Sequence, residues 1–370
     1  MIINYHFTVF IYLSLVLIIP VLYGVFLKNE YRDRIILITV CSLMFLMLAL
    51  RKPFSDVTVY RDIYESLKSV SFSEMMKDFH FIKVSTFTGV EWGYSFICWL
   101  FAGIGIPFQI FLALESAFCV FCIYHFVDKN SVCFPLSIAL IIGFGLFDYL
   151  FIIIRQTLAF GFLLLAFEQM KKRNIPLFLV FVAVATLMHR TAILFVVVFP
   201  LSYLRVTKIS VAIFSCVSFL IIPLYPVLDK LVLRKAFEVF FKDGYLGEPV
   251  FEFKKLILII VVIIAFLMFF SKPKEDQDEK DQSVFWAFML SLPIQVVACY
   301  VPILGRVSTL MYLPFAAVAI PNYLETNDNK KLVRVFEILI FLAAVAYYAF
   351  CLLYDRRELE LIPYNLFFMN

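Results

Sequence analysis

The amino-acid sequence predicts an all-α polytopic membrane protein with about twelve transmembrane helices. Hydrophobic residues make up 63% of the chain, charged residues make up 16%, and the mean hydropathy is +0.95. A soluble globular chain contains about 45–50% apolar and about 25% charged residues, so a single aqueous core could not bury this excess. The apolar residues form continuous runs and do not alternate with polar ones, which favours spanning helices over a β-barrel.

Twelve apolar runs account for the predicted crossings, with each run taken as one helix. They comprise residues 7–27, 35–50, 108–127, 132–147, 150–170, 175–189, 191–205, 209–228, 255–270, 284–302, 306–323 and 333–353. An even number of crossings places both termini on the same side. The first run is too long for the core of a signal peptide and lacks a basic segment before it, so we predict that it is the first transmembrane helix.

Lysine and arginine residues in short loops predict the orientation, because they are enriched on the cytoplasmic side. Basic residues follow alternate runs, at 28–34, 129, 171–173, 205–208, 272–280 and 330–331. The opposing short loops at 148–149 and 303–305 contain none. We therefore predict a cytoplasmic linker at 271–282, and we expect the long loops 51–107 and 229–254 to face outward.

Residues 91–106, EWGYSFICWLFAGIGI, are apolar but few for a comfortable span. If they crossed the membrane, every later loop would invert and the basic residues at 171–174 would face outward. We therefore predict an interfacial or re-entrant helix on the outer face. Trp92, Tyr94 and Trp99 suit the depth of the membrane interface.

Four polar residues in apolar surroundings predict an anion-binding site. Arg155 and Gln156 interrupt the sequence FIIIRQTLAFGF, and His189 and Arg190 lie in the turn TLMHRTAIL. Their helices are joined by one short cytoplasmic turn, so both pairs should lie at the same outer level. Charged residues at membrane depth are costly and indicate function by default. Snorkelling of Arg155 to headgroups and interfacial capping by His189 and Arg190 stay open as alternatives.

An outward-facing cationic site suits a lipid-linked pyrophosphate, because arginine binds phosphate through two parallel hydrogen bonds. Glycosyl transfer from such a donor builds negative charge on the leaving pyrophosphate, which fixed arginines stabilise. The acceptor hydroxyl needs a general base. The sequence contains no nucleotide-binding loop, no metal-ligand motif and no nucleic-acid signal, so we expect no cofactor, no metal and no nucleic-acid partner.

Each candidate site residue receives a predicted role. We expect Arg155 and Arg306 to bind the pyrophosphate, with Arg190 in support. The base is His189 or a carboxylate, and the choice between them stays open. The carboxylate candidates are Glu91 and Asp56, and the residues expected to line the substrate path are Gln156, Tyr60, Arg51 and Tyr94.

Six pieces of the chain carry a resemblance to a known family. They are LRKPFSDVTVYRDIY at 50–64, EWGYSFICWL at 91–100, IIIRQTLAFGFLLLAF at 152–167, LMHRTAILF at 187–195, GRVSTLMYLPF at 305–315 and IPYNLFF at 362–368. In this order they resemble the EpsG-type family of Wzy-like polysaccharide polymerases. Arg155, Gln156 and His189 match positions at which the family carries those residue types. Residues 54–56 read FSD where the family often has Gly-Thr-Asp, and Tyr60 is retained.

The resemblance implies a GT-C-like helical bundle with an external cavity, in the bacterial inner membrane. It implies that the protein joins undecaprenyl-pyrophosphate-linked oligosaccharide repeat units at the outer face. It further implies contact with membrane lipid, a chain-length regulator and a flippase as partners.

Three other functions fit parts of the sequence. A flippase or exporter of lipid-linked sugars needs similar cations, but it is usually built from related halves, and the sequence shows no internal repeat. An O-antigen ligase uses the same donor with a different acceptor, and the loop 229–254 is a modest counterpart of its late outer loop. A membrane O-acyltransferase would commonly need a cytosolic acyl donor, which conflicts with an outer-face His189.

Overall fold

The computed structural model describes residues 30–81, 84–233, 253–269, 279–352 and 364–368. The predicted run 7–27 lies outside the described residues, as do residues 234–252 of the predicted outer loop and residues 271–278 of the predicted linker. The described residues are mainly helical. Their only β-type pairings are two isolated antiparallel bridges, Arg51 with Leu366 and Val84 with Glu91.

The α-helices of the described residues are numbered here in chain order. They are α1 (Glu30–Ala49), α2 (Asp56–Ser66), α3 (Phe72–Lys77), α4 (Trp92–Gly103), α5 (Phe108–Asn130), α6 (Phe134–Gly143), α7 (Leu146–Ile152), α8 (Ile154–Lys171), α9 (Ile175–Met188), α10 (Val198–Leu201), α11 (Lys208–Leu228), α12 (Phe253–Phe269), α13 (Glu279–Met289), α14 (Ser291–Ala298), α15 (Ile303–Val307), α16 (Ala316–Leu324) and α17 (Lys330–Phe350). Short 3-10 turns lie at Leu67–Ser69, Arg190–Val197 and Leu313–Phe315, and π turns lie at Asp229–Leu233 and Ser308–Tyr312.

Four helices of the described part are long and apolar enough to cross a membrane. They are Phe108–Asn130, Lys208–Leu231, Ile303–Leu324 and Lys330–Phe350. The second continues α11 into the π turn that follows it, and the third joins α15 and α16 through the two short turns between them. The helices α6 and α7 are bent by 54° and count as a fifth if they form one span. The structure thus agrees with a polytopic α-helical membrane protein, while the twelve crossings and the GT-C-like arrangement stay predictions.

The helix α8 runs through the core of the bundle. Ala159, Leu163 and Phe167 are fully buried, and their four-residue spacing places them on one face of the helix. A Cβ added at Gly161 would lie 2.7 Å from the ring of Phe118, so this glycine lets α8 approach α5 closely. The helices α8 and α9 are joined by residues 172–174 and form an antiparallel hairpin.

The continuous apolar sequence before α8 is broken twice. Gly145 has a left-handed φ of +85°, which ends α6 and turns the chain into α7. Ile153, with φ −95° and ψ 58°, then separates α7 from α8. As a result, α8 begins one residue before Arg155, and this side chain lies in the first turn of its helix.

Candidate functional site

A buried carboxylate contacts three basic side chains at the open end of the α8–α9 hairpin. The side chain of Glu91 is 4% exposed, and its Oε2 accepts a hydrogen bond from Nη1 of Arg155. Its Oε1 lies 3.1 Å from Nδ1 of His189 and 3.8 Å from Nε of Arg190. The main-chain N–H of Arg190 also donates to Oε1, at 3.4 Å. These four residues are called the Glu91 cluster below.

A short turn places Glu91 at the beginning of α4. Val84 and Glu91 form an antiparallel bridge, and the main-chain N–H of Ser85 donates to the carbonyl of Val90 at 2.7 Å. Gly89, with φ +68°, allows the turn between them. Trp92 then fixes the start of the helix, because its indole N–H donates to the carbonyl of Met75 at 2.9 Å.

Gly93 brings Glu91 to the basic residues. A Cβ added at this position would lie 2.6 Å from Cβ of Leu187 and 2.8 Å from the carbonyl oxygen of Leu187. A glycine is therefore required for α4 to pack this closely against the end of α9. Leu187 precedes His189 and Arg190 by only two and three residues, so the same close approach sets the distance from Glu91 to both.

Arg155 is held on two sides. Its Nη1 donates to Glu91, and its Nε donates to the hydroxyl of Tyr60 on α2 at 3.1 Å. The guanidinium carbon lies 5.4 Å from the centroid of the Tyr60 ring, within the range of a cation–π contact. Nη2 of Arg155 makes no hydrogen bond with a residue that the structure describes, and the side chain is 21% exposed.

His189 connects the carboxylate to Gln156. The residue leaves the end of α9 in an extended conformation, with φ −154° and ψ 114°. Its Nε2 lies 2.8 Å from Nε2 of Gln156, which is an amide donor, so the imidazole Nε2 accepts this hydrogen bond. The ring proton is then on Nδ1, 3.1 Å from the negatively charged Glu91.

The surroundings of Glu91 decide its protonation state. Burial alone would raise the pKa of its carboxyl group, but the positive charge of Arg155, together with His189, outweighs burial and holds the pKa well below its usual range. Glu91 therefore stays ionised at neutral pH. A carboxylate with such a low pKa is a weak proton acceptor. Glu91 is therefore better suited to orienting the basic residues than to accepting a proton from a substrate.

Most of the chain, including the site, matches a known protein family. The model of the EpsG family matches residues 34–366, a range that includes every residue of the Glu91 cluster. The chain belongs to the EpsG family. The family resemblance predicted from the six sequence pieces is thus confirmed. No curated protein and no solved structure matches the chain.

In this EpsG-family chain, seven of the ten candidate site residues lie in or beside the Glu91 cluster. Tyr94 lies behind Tyr60, with ring centroids 5.5 Å apart, and is fully buried. Asp56 is exposed at the first position of α2, one helical turn before Tyr60. No ion pair connects Asp56 to the cluster among the residues that the structure describes.

Arg306 is exposed on α15 and forms no ion pair with the described part of the chain. The helix continues into the π turn Ser308–Tyr312, which packs beside the segment that follows Arg190. There the hydroxyl of Thr191 lies 3.9 Å from the sulfur of Met311. Arg306 therefore belongs to a helix that contacts the site segment, while its side chain stays available to solvent or ligand.

Arg51 lies outside the Glu91 cluster and has a different environment. The residue is 1% exposed, and its guanidinium donates to the main-chain carbonyls of Leu48 at 2.6 Å and Leu150 at 3.2 Å. Residues 364–368 of the EpsG-family chain pair with residues 50–52 through two main-chain hydrogen bonds of 2.8 and 3.0 Å. Arg51 thus connects three segments of the chain, and its place in the substrate path stays a prediction.

Two residues beside these sites were not predicted. Gly93 follows Glu91 by two positions, but nothing in the sequence indicates which helix it approaches. Glu115 is the one acidic residue in the apolar sequence 108–127, and a carboxylate in such a run was an available signal. It lies with Arg51 and Ser116 around a cavity of about 10 Å³, large enough for about one water molecule.

Proposed function

We propose that the protein is a polymerase that joins undecaprenyl-pyrophosphate-linked oligosaccharide repeat units by metal-independent glycosyl transfer, at the outer face of the bacterial inner membrane. Membership of the EpsG family indicates a polysaccharide-polymerase-like function in a membrane protein. The observation that carries the finer proposal is the Glu91 cluster, in which one carboxylate orients two arginines and a histidine.

The two arginines supply the charge that the leaving group needs. Glu91 neutralises part of their charge in the resting state, yet Nη2 of Arg155 donates to none of the described residues and Arg190 is 15% exposed. When the bond between the anomeric carbon and the pyrophosphate oxygen breaks, both arginines stabilise the growing negative charge. Arg306, exposed on α15, is the proposed third cation. Because the site is preformed, this stabilisation needs little reorganisation at the moment of reaction.

His189 is the proposed general base. Glu91 keeps the ring proton on Nδ1, which leaves the lone pair of Nε2 for an incoming hydroxyl. The acceptor hydroxyl replaces the amide of Gln156 at Nε2 and transfers its proton there as its oxygen attacks the anomeric carbon. The pyrophosphate leaves with the electron pair of the broken bond. Tyr60 supports this step indirectly, since it holds Nε of Arg155.

A reconstitution experiment tests the function. Purified protein in nanodiscs is given the lipid-pyrophosphate-linked repeat unit, and the products are separated on a gel. A ladder of chain lengths supports the polymerase. Transfer of a single unit to a different acceptor would identify a ligase, and movement of unreacted lipid across liposomes would identify a flippase. Either of these results, without a ladder, would contradict the proposal.

A separate labelling experiment tests on which side of the membrane the Glu91 cluster lies. Two exposed lysines are suitable positions. Lys68 lies in the turn Leu67–Ser69 before α3, and Lys172 lies in the turn between α8 and α9. Single cysteines at these positions are treated with a membrane-impermeant reagent in intact cells. We expect labelling of Lys68→Cys only from outside and of Lys172→Cys only after the membrane is opened. The reverse pattern would place the cluster in the cytoplasm.

A further inference from the structure

The short helix α3 and the turn that directly follows it carry an exposed apolar stripe beside the Glu91 cluster. Phe72, Met76 and Phe79 are 61%, 43% and 47% exposed. Phe72 and Met76 are four residues apart on α3, which places them on one side of the helix. Phe79 follows in the turn after the helix, where its main-chain N–H donates to the carbonyl of Met76 at 3.2 Å. Large apolar side chains that are exposed together mark a surface that another apolar phase covers.

The other faces of the same segment are different in character. Ser73 and Lys77, four residues apart on α3, are exposed and polar, and so is His80 in the segment that follows the helix. Met75 is fully buried against the rest of the protein. The segment therefore has one face packed on protein, one polar face and one apolar face without a cover from the described residues. This is the pattern of a helix that lies in the plane of a membrane interface.

The segment is fixed rigidly to α4. The indole N–H of Trp99 donates to the carbonyl of Val70 at 2.7 Å, in addition to the bond from Trp92 to α3. The rings of Phe72 and Trp99 lie 5.9 Å apart, and those of Phe79 and Trp92 lie 4.7 Å apart. The helices α3 and α4 thus form one aromatic unit, and the residue that precedes Trp92 is Glu91.

Further exposed apolar residues lie along the chain between α4 and a helix long and apolar enough to cross a membrane. Leu100 and Ile104, at the end of α4, are 44% and 67% exposed. They lead directly into the span Phe108–Asn130, on which Ile110 and Leu114 are 52% and 48% exposed. Exposed apolar residues on a spanning helix face lipid tails. The exposed apolar surface of this span is thus connected along the chain to α4, against which α3 packs.

We infer that Phe72, Met76 and Phe79 insert into the bilayer and hold α3 flat in the leaflet next to the Glu91 cluster, with the lipid surface as their binding partner. The six residues of α3 are far too few to span. An interfacial helix buries its apolar face about 5–10 Å into the boundary between headgroups and acyl chains. Glu91 would then lie at headgroup level, where a lipid-linked head group meets the cluster. The inference needs only a membrane location, so it stands apart from the proposed reaction.

Two matched pairs of cysteine variants test the insertion. Cys216 is an exposed cysteine, so Cys216→Ser gives the background. Met76→Cys is compared with Lys77→Cys, and Phe79→Cys with His80→Cys. Each pair joins an apolar-stripe residue to its polar neighbour. An environment-sensitive fluorophore is attached in nanodiscs, and quenching is measured with a shallow nitroxide lipid and with aqueous iodide.

We expect the labels at 76 and 79 to be quenched more strongly by the nitroxide lipid than by iodide, with the reverse order at 77 and 80. The second pair gives the answer if one variant of the first pair fails to fold. Stronger quenching by iodide than by lipid at both 76 and 79 would overturn the inference and would identify a water-exposed surface instead.

Discussion

The substitution Gly93→Ala should damage the site without removing any of its chemical groups. The added Cβ would lie 2.6 Å from Cβ of Leu187, whereas carbon atoms pack at about 3.5–4.0 Å. The second contact, at 2.8 Å, is with a main-chain oxygen that cannot rotate away. The helix α4 must therefore move from α9 by about 1 Å, and Glu91 moves with it.

The expected cost follows from this displacement. Overpacking of a buried contact destabilises a protein by about 1–3 kcal/mol, which leaves most proteins of this size folded. Misplacement of a catalytic group by about 1 Å can lower the rate by about 100-fold. We therefore expect Gly93→Ala to insert in the membrane with normal yield and to lose about two orders of magnitude in the rate of chain growth.

The assay is the formation of the polymer ladder by purified variants in nanodiscs, together with thermal unfolding. Gly103→Ala is the matched control, because Gly103 ends the same helix and an added Cβ meets nothing within 4 Å. This control should retain the wild-type rate. A wild-type rate for Gly93→Ala would show that the spacing of α4 and α9 does not set the geometry of the site.

Two further substitutions test the contacts of the cluster. Glu91→Gln leaves the buried basic groups without their counter-charge and should lower the free energy of unfolding by about 3 kcal/mol at pH 7. Because the pKa of Glu91 is lower in the folded protein, its contribution is present above about pH 4.3 and is lost as the pH falls. Thermal unfolding of wild type and variant should therefore converge in acid, and a constant difference down to pH 3 would contradict this. Tyr60→Phe removes a hydrogen bond to Arg155 worth about 1.5 kcal/mol, so kcat should fall about tenfold. Tyr64→Phe, on the same helix, loses a bond to the carbonyl of Ile106 and should keep its rate, so equal rate losses in both variants would argue against a specific role of Tyr60.

Much of the helical architecture is predictable, because a continuous apolar segment in lipid must satisfy its main-chain hydrogen bonds internally, and a helix does so. The predicted run 175–189 corresponds to Ile175–Met188, and the run 209–228 corresponds to Lys208–Leu228. The breaks around α7 escape prediction, since the residues that flank Gly145 and Ile153 are as apolar as a helix interior. Backbone conformation at these two positions depends on packing that periodicity does not report.

The part of the site that is predictable consists of charged or titratable residues within apolar sequence, where burial of a charge costs free energy. Arg155 and His189 stand out from apolar neighbours, and the hairpin connection places them together. The role of Gly93 depends on a contact between helices far apart in sequence, and a single glycine gives no sign of its partner. Arg51 is buried because its guanidinium donates to the main-chain carbonyls of Leu48 and Leu150. Every residue has such a carbonyl, so no pattern of side chains in the sequence could indicate this burial.

The central claim is that the Glu91 cluster binds the donor pyrophosphate through Arg155. The most direct measurement compares the polymer ladder of Arg155→Ala and Arg155→Lys with that of Arg61→Ala, which changes an arginine that is 49% exposed on the adjacent helix α2. We predict no ladder with alanine, a weak ladder with lysine, which keeps the charge but not the two parallel hydrogen bonds, and a normal ladder with Arg61→Ala. A full ladder from correctly inserted Arg155→Ala would contradict the claim.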